Sequence, residues 1–351
     1  MKTSVSDTTY RGRRAAVLEN PRLRVTVTRE GGHIAEIFNN QSGVNPLWTP
    51  PWQSLEPSQF DPSRTDYGEG AEARLLSGIL GHNVCLDLFG GPSEEEAEAG
   101  ITVHGEASVE PYELTGSEGQ LIARTVLPAA QLRFERRLEL RGCAVRIQET
   151  VENLSACDRP IAWTQHVTLG PPFLEKGATR FRASATRSKV YEQSFGAHDY
   201  LKIGADFDWP MAPREDGGRE DLRVLTAAEA SCAYTSQLID RSREHGFFVG
   251  FTPSLRLAFG YVWRTAEFPW MGVWEENHSR TAAPWNGKTL ARGMEFGVSP
   301  FPESRREMID RGSMFGVPGY RWIPAKSKAE VEYWAMTMEA KAVPDSLEWP
   351  G

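Results

Sequence analysis

Apolar and polar positions alternate through most of the chain, and the alternation predicts strands. In 132–140, positions 132, 134, 138 and 140 are apolar, while Arg133, Glu135, Arg137 and Glu139 lie between them. A period of two puts successive side chains on opposite faces, so this segment reads as a strand with one wet face. Val145, Ile147 and Val151 continue the pattern beyond a turn at Arg141-Gly142. Leu23, Val25 and Val27 mark an earlier strand, which Gly31-Gly32 turns back into 33–38. Segments 247–251 and 255–262 predict another hairpin, and 331–338 predicts a closing strand.

Helical signals are few. Ser93-Glu94-Glu95-Glu96 reads as a capping box, with Ser93 as N-cap and Glu96 reaching back to it; the helix should stop at Gly100. Segment 304–311 predicts a second short helix ending at Gly312. The stretches 46–67, 206–219 and 279–288 show no period and are expected as loops, where binding residues collect. With 32 Gly and 23 Pro, many turns are expected. No repeat or low-complexity linker divides the chain. The expectation is an all-β, mainly antiparallel β-sandwich with a few short helices. Residues 1–20 are expected as an N-terminal extension, and 21–345 as a single domain.

Composition narrows the functional classes. The chain has 351 residues and a formal net charge of −8. No dense Lys/Arg run is present, so a nucleic-acid partner is not expected. No run approaches the ~20 apolar residues of a membrane span. Arg13-Arg14 is followed by only four apolar residues before Glu19, too few for an export signal. The four cysteines show no CxxC spacing, which favours the reduced thiols of a cytoplasmic protein over a disulfide framework. Nothing in the sequence reads on oligomeric state.

Three segments carry candidate chemistry: Val103-His104-Gly105-Glu106, Trp163-Thr164-Gln165-His166 and Trp274-Glu275-Glu276-Asn277. Histidine titrates near neutral pH and a desolvated carboxylate is tuned upward, so such a set gives and takes protons. That is the chemistry needed to open and close a sugar ring. Strand parity groups Glu275 with Met271 and Val273, and Glu276 with Trp270 and Trp274, so only one of the two carboxylates should enter a given cleft. Eleven tryptophans offer rings for core packing and for stacking on sugar C–H faces. His33, His82, His104, Glu106 and His166 are metal-ligand types, but the short His-x-His spacing is absent and no metal is expected.

Taken in order, these segments resemble the aldose 1-epimerase, or galactose mutarotase-like, superfamily. Glu152-Asn153-Leu154-Ser155, Pro160 and Thr164-Gln165-His166 are similar to the strand that carries its catalytic histidine. Val103-His104-Gly105 is similar to its substrate-binding His-Gly segment, Gly272-Val273-Trp274-Glu275 to the strand bearing its catalytic glutamate, and 290–296 to the turn and strand that follow. The likeness spans 23–338. It implies a galactose mutarotase-like sandwich, a small-molecule carbohydrate as partner, and no cofactor. It also implies Glu275 as general base, His166 as general acid, and His104 as a hydrogen-bonding partner of the sugar. Val167-Thr168 stands where the family has an aromatic pair. No Asn-Arg sugar-binding dipeptide is found, although Arg74 lies in a comparable region, and Glu106 beside His104 is a further candidate contact. Two other readings are a lyase or hydrolase on the same fold and a non-catalytic carbohydrate-binding protein.

Overall fold

A computed structural model describes residues 3–117 and 119–350. Two large sheets dominate. The larger has twelve strands. In spatial order they run Ser4–Tyr10, Arg13–Glu19, Leu23–Thr28, Ile34–Asn39, His82–Asp87, Arg159–Leu169, Leu290–Gly297, Trp270–Asn277, Ser231–Ile239, Ala185–Val190 and Asp206–Asp208, with Arg321–Ile323 pairing off this path to Arg159–Leu169. The eight-stranded sheet is centred on Leu257–Arg264, Lys328–Glu339, Ala144–Asn153 and Leu132–Arg141. Neighbours at the centre of both sheets pair antiparallel. The fold is thus the mainly antiparallel β-sandwich that the alternation implies.

The core lies between the sheets. Leu132, Phe134 and Leu138 from one side meet Val84, Leu86, Met271, Val273, Met294 and Phe296 from the other, and all are nearly or wholly buried. Burial of this kind of apolar surface supplies the main driving force for the sandwich. Arg136 interrupts the apolar face of its strand and is nevertheless inside. It pairs with Glu149 at 2.8 Å. Glu149 also accepts from Trp163 Nε1 at 2.9 Å, Gln165 Nε2 at 2.7 Å and Tyr333 OH at 2.7 Å, so the buried charge is fully partnered.

Two expectations are corrected. From Ser4 onward, the stretch expected as an extension belongs to the fold. Ser4–Tyr10 and Arg13–Glu19 are the first two strands of the larger sheet, hairpinned at Gly12 (φ +85°). The Arg13 side chain is fully buried, with Glu56 and backbone carbonyls around it, which ties the hairpin to the body. The stretch 206–219 is not purely loop. Asp206–Asp208 joins the edge of the larger sheet, and Met211–Pro213 pairs with Arg219–Asp221.

Three short α-helices occur among the described residues: α1 (Ala73–Gly78), α2 (Glu94–Glu98) and α3 (Arg305–Arg311). The Ser93 capping box starts α2, and an equivalent box at Ser304 and Glu307 starts α3, which ends at Gly312. No helix among the described residues is long and apolar enough to cross a membrane. The four cysteines are unpaired.

Candidate active site

The outer face of the larger sheet carries the site. His166, at a buried position on its strand, faces away from the inter-sheet core. Its neighbour Gln165 faces into that core and meets Glu149. Along the adjacent strand the register pairs Thr164 with Gly297, Gln165 with Phe296 and Thr168 with Gly293, which sets Glu295 opposite His166. His166 Nε2 and Glu295 Oε1 are 3.2 Å apart. The carboxylate folds back over its own strand because Gly293 leaves room. A Cβ there would lie 2.4 Å from Glu295 Oε1. The other His166 nitrogen, Nδ1, is 3.0 Å from the Thr168 hydroxyl, so the residue standing in place of the expected aromatic fixes the imidazole ring.

His104 completes the group from a different element. It sits in a turn, at φ +68°, followed by Gly105 at φ +78°. A Cβ at Gly105 would meet the Leu86 carbonyl oxygen at 2.4 Å, so glycine lets this turn press against the sheet. His104 Nδ1 donates to the Phe89 carbonyl at 2.7 Å, which leaves Nε2 of the neutral ring as an acceptor. The His104 and His166 rings lie 4.8 Å apart, and Trp274 flanks His166 at 5.8 Å.

These three side chains line a cavity of about 250 Å³. Its walls include Leu75, Leu76 and Ile79 around the end of α1, together with Tyr234, Trp274 and Trp285. Arg280 stands in the wall, 3.2 Å from Glu72 and stacked 4.6 Å over the Trp285 ring. Three larger grooves lie elsewhere, one lined by residues such as Arg137 and Glu330, one by residues such as Arg241 and Trp322, and one by residues such as His198 and His278. The first two contain no histidine. In the third, His198 Nδ1 meets the Ser279 hydroxyl and His278 Nδ1 the Gly287 carbonyl, and among the described residues no carboxylate is coupled to either ring.

Burial sets the electrostatics. Glu295 is 2% exposed and its carboxyl is pushed up to about 8 by desolvation. Burial holds His166 well below its ordinary value, with the nearby His104 adding to the effect. His104 is lowered by burial as well. Both effects disfavour charge, so the resting couple is a neutral imidazole beside a protonated carboxyl, with one titrating proton between them.

The structure brings His104 and His166 together and leaves the other candidates outside. Glu275 is on the inner face of its strand, as its parity with Met271 and Val273 requires. Its Oε1 accepts from the Ser231 hydroxyl at 2.5 Å, and it faces Arg292 across the strand pair. Burial raises its pKa, opposed by the Arg292 charge. Glu276 shares the outer face with Trp274 but is used locally. Its carboxylate accepts the backbone N–H groups of Ser279 at 2.7 Å and Arg280 at 3.0 Å, anchoring the loop that presents Arg280. Arg74 points to Glu110 at 3.4 Å while its neighbours Leu75 and Leu76 line the cavity. Glu106 accepts backbone N–H groups of Ala129 at 3.1 Å and Ala130 at 2.8 Å, a structural clamp. His33 and His82 are in the core, bound to the Ser108 carbonyl and to Tyr261 and Gln165.

Glu295 is the residue that sequence reading missed. A signal was present: Gly293-Met294-Glu295-Phe296-Gly297 places a lone carboxylate between apolar neighbours, flanked by glycines on its own face.

The sandwich is the galactose mutarotase-like fold. Over 97% of this chain and 85% of the other, it superposes on a candidate aldose 1-epimerase from Klebsiella pneumoniae with a TM-score of 0.66 at 13% identity. A galactose mutarotase-like protein from Clostridium acetobutylicum gives 0.62 at 14% identity, covering 96% of this chain and 99% of that one. A galactose mutarotase related enzyme from Lactobacillus acidophilus gives 0.58 at 12% identity, covering 94% and 99%. No family model matches the sequence, and no curated protein does so either.

Proposed function

We propose that this chain is a carbohydrate-active isomerase of the aldose 1-epimerase type, interconverting sugar anomers by acid/base ring opening. One observation carries the reading: a buried imidazole–carboxyl couple at 3.2 Å, with a second histidine beside it, in a cavity on the outer face of the sheet. Ring opening needs one group to take the anomeric hydroxyl proton and another to protonate the ring oxygen. A couple holding one proton does both without net gain or loss.

In the forward step Glu295, not Glu275, is the base. It takes the O1 proton as the C1–O1 double bond forms and the bond from C1 to the ring oxygen breaks. His166, protonated across the short contact, gives its proton to the ring oxygen. The open-chain aldehyde then faces a protonated Glu295 and a neutral His166, the state that burial favours. Rotation about C1–C2 presents the other carbonyl face, and the same two transfers in reverse close the ring. His104, with Nε2 as acceptor, holds a neighbouring hydroxyl.

The test is anomer interconversion by NMR exchange or polarimetry across a panel of monosaccharides, with wild type and the His166→Ala and Glu295→Gln variants. Acceleration lost in both variants supports the reading. Binding without acceleration favours a non-catalytic sugar-binding protein, and acceleration retained in both variants removes the couple from the mechanism.

A further inference from the structure

The cavity lining sets the reacting groups of His104, His166 and Glu295 together with an aliphatic wall at Leu75, Leu76 and Ile79. The walls formed by Leu75, Leu76 and Ile79 offer no hydrogen-bonding side-chain atom. Among the lining residues, two further polar atoms are buried without a partner: Tyr234 OH and Trp274 Nε1. Neither atom has surface open to the cavity, so neither offers a sugar hydroxyl a contact as the walls stand. Arg280 and Glu72 are taken up with each other at 3.2 Å, which leaves little net charge for an anionic sugar. The volume, about 250 Å³, falls below the ~300–1,000 Å³ of drug-sized pockets and suits a single ring.

A common hexose bears a hydroxyl or hydroxymethyl group on nearly every ring carbon. A hydroxyl pressed on hydrocarbon loses its water and gains no partner, whereas a methyl group there gains by burial. We infer that the cavity selects a 6-deoxy sugar, with a methyl group seated on the aliphatic wall at Leu75, Leu76 and Ile79. The inference rests on the epimerase reading for its reaction, but the selectivity belongs to the cavity itself.

Matched pairs test it: galactose, glucose and mannose against their 6-deoxy counterparts, in both enantiomers. Anomer exchange is followed by NMR, and binding by saturation transfer. The 6-deoxy member of at least one pair should show a kcat/KM about tenfold to a hundredfold higher, the range in which an apolar pocket discriminates. Leu75→Ser should narrow that ratio. Both sugars are measured on the same sample, so a loss of folded protein cancels. Hydroxylated members handled equally well or better would overturn the inference while leaving the epimerase reading intact. Selective binding of the 6-deoxy members without exchange would keep the inference and remove that reading. Failure of every sugar to bind or exchange would overturn the inference.

Discussion

His166 and Glu295 face each other across two neighbouring antiparallel strands, with ring nitrogen and carboxylate oxygen 3.2 Å apart and both side chains almost fully buried. Strand pairing holds such a couple more rigidly than loops would, because each backbone is fixed by its ladder. Removing either member should therefore remove the chemistry and leave the sandwich standing. On this basis His166→Ala and Glu295→Gln each lower kcat by about 10²-fold or more. Glu275→Gln leaves kcat near wild type, since its carboxylate meets Ser231 on the opposite face of the sheet. A steady-state comparison of the three variants decides between the two glutamates. A large kcat loss in Glu275→Gln alone would return the base to the strand where the sequence had placed it.

The pH profile follows from the same couple. Glu295 titrates near 8 and His166 well below its usual range. Between these limits the pair holds the single proton that the reaction needs. kcat/KM should be flat through neutrality and fall above about pH 8, as that proton is lost. On the acid side it should fall only well below the ordinary histidine range, when both members are protonated. A profile centred on an ordinary histidine midpoint would contradict a buried couple.

Stability should carry the mark of the same burial. The unfolded Glu295 carboxyl loses its proton near 4.5, whereas the folded one keeps it to about 8. The folded state thus binds more protons in that window. This group's contribution is full below 4.5 and is lost as pH rises through 8. Glutamine has no proton to lose, so Glu295→Gln should gain on wild type with rising pH, with about 5 kcal/mol as the upper bound for a shift of this size. Denaturant melts at acid and alkaline pH measure the gap, and parallel behaviour of the two proteins would show that Glu295 is ionised in the fold.

Much of the sandwich was legible because its strands have one wet face. The 132–140 and 144–153 hairpin, the Gly31-Gly32 turn, the Ser93 capping box and the short helix ending at Gly312 rest on local rules, and the structure keeps them. What local rules missed lies where long-range partners decide. Arg136 looks like a break in an apolar face until Glu149, Trp163 and Gln165 surround that network. The hairpin at 4–19 has weak alternation and is held by Glu56 and the body of the protein. At the site, His104 and His166 stood out as histidines beside turn and strand signals. Glu275 entered as the base through the family resemblance, and parity, which separates it from Glu276, does not say which of the two faces carries the cavity. The walls came from α1 and the loop 279–288, whose positions no period encodes.

Glu106 illustrates the difference between adjacency and function. It stands two residues from His104, yet its carboxylate accepts two backbone N–H groups from the turn at Ala129 and Ala130. Glu106→Ala should cost about 1–3 kcal/mol of stability by leaving those donors unpaired. Glu106→Gln, whose amide oxygen still accepts, should lose less. KM for the folded fraction should stay near wild type in both. A raised KM without a loss of stability would instead place Glu106 against the substrate.

Gly293 offers the sharpest test of positioning. Its ordinary backbone needs no glycine freedom, but its missing side chain does matter: a Cβ would fall 2.4 Å from Glu295 Oε1 and 3.1 Å from the Trp274 Cβ. Alanine at this position must push the carboxylate off His166 or move Trp274. Displacements of about 1 Å cost about 10²-fold when reacting groups must be aligned. Gly293→Ala should therefore reduce kcat by up to about 10²-fold while the sandwich still melts cooperatively. The alkaline limb of the pH profile should shift in the same variant, because a carboxylate pushed from its buried seat regains water and its pKa falls towards the ordinary value. A merely structural glycine would lower the melting temperature and leave that limb where it was.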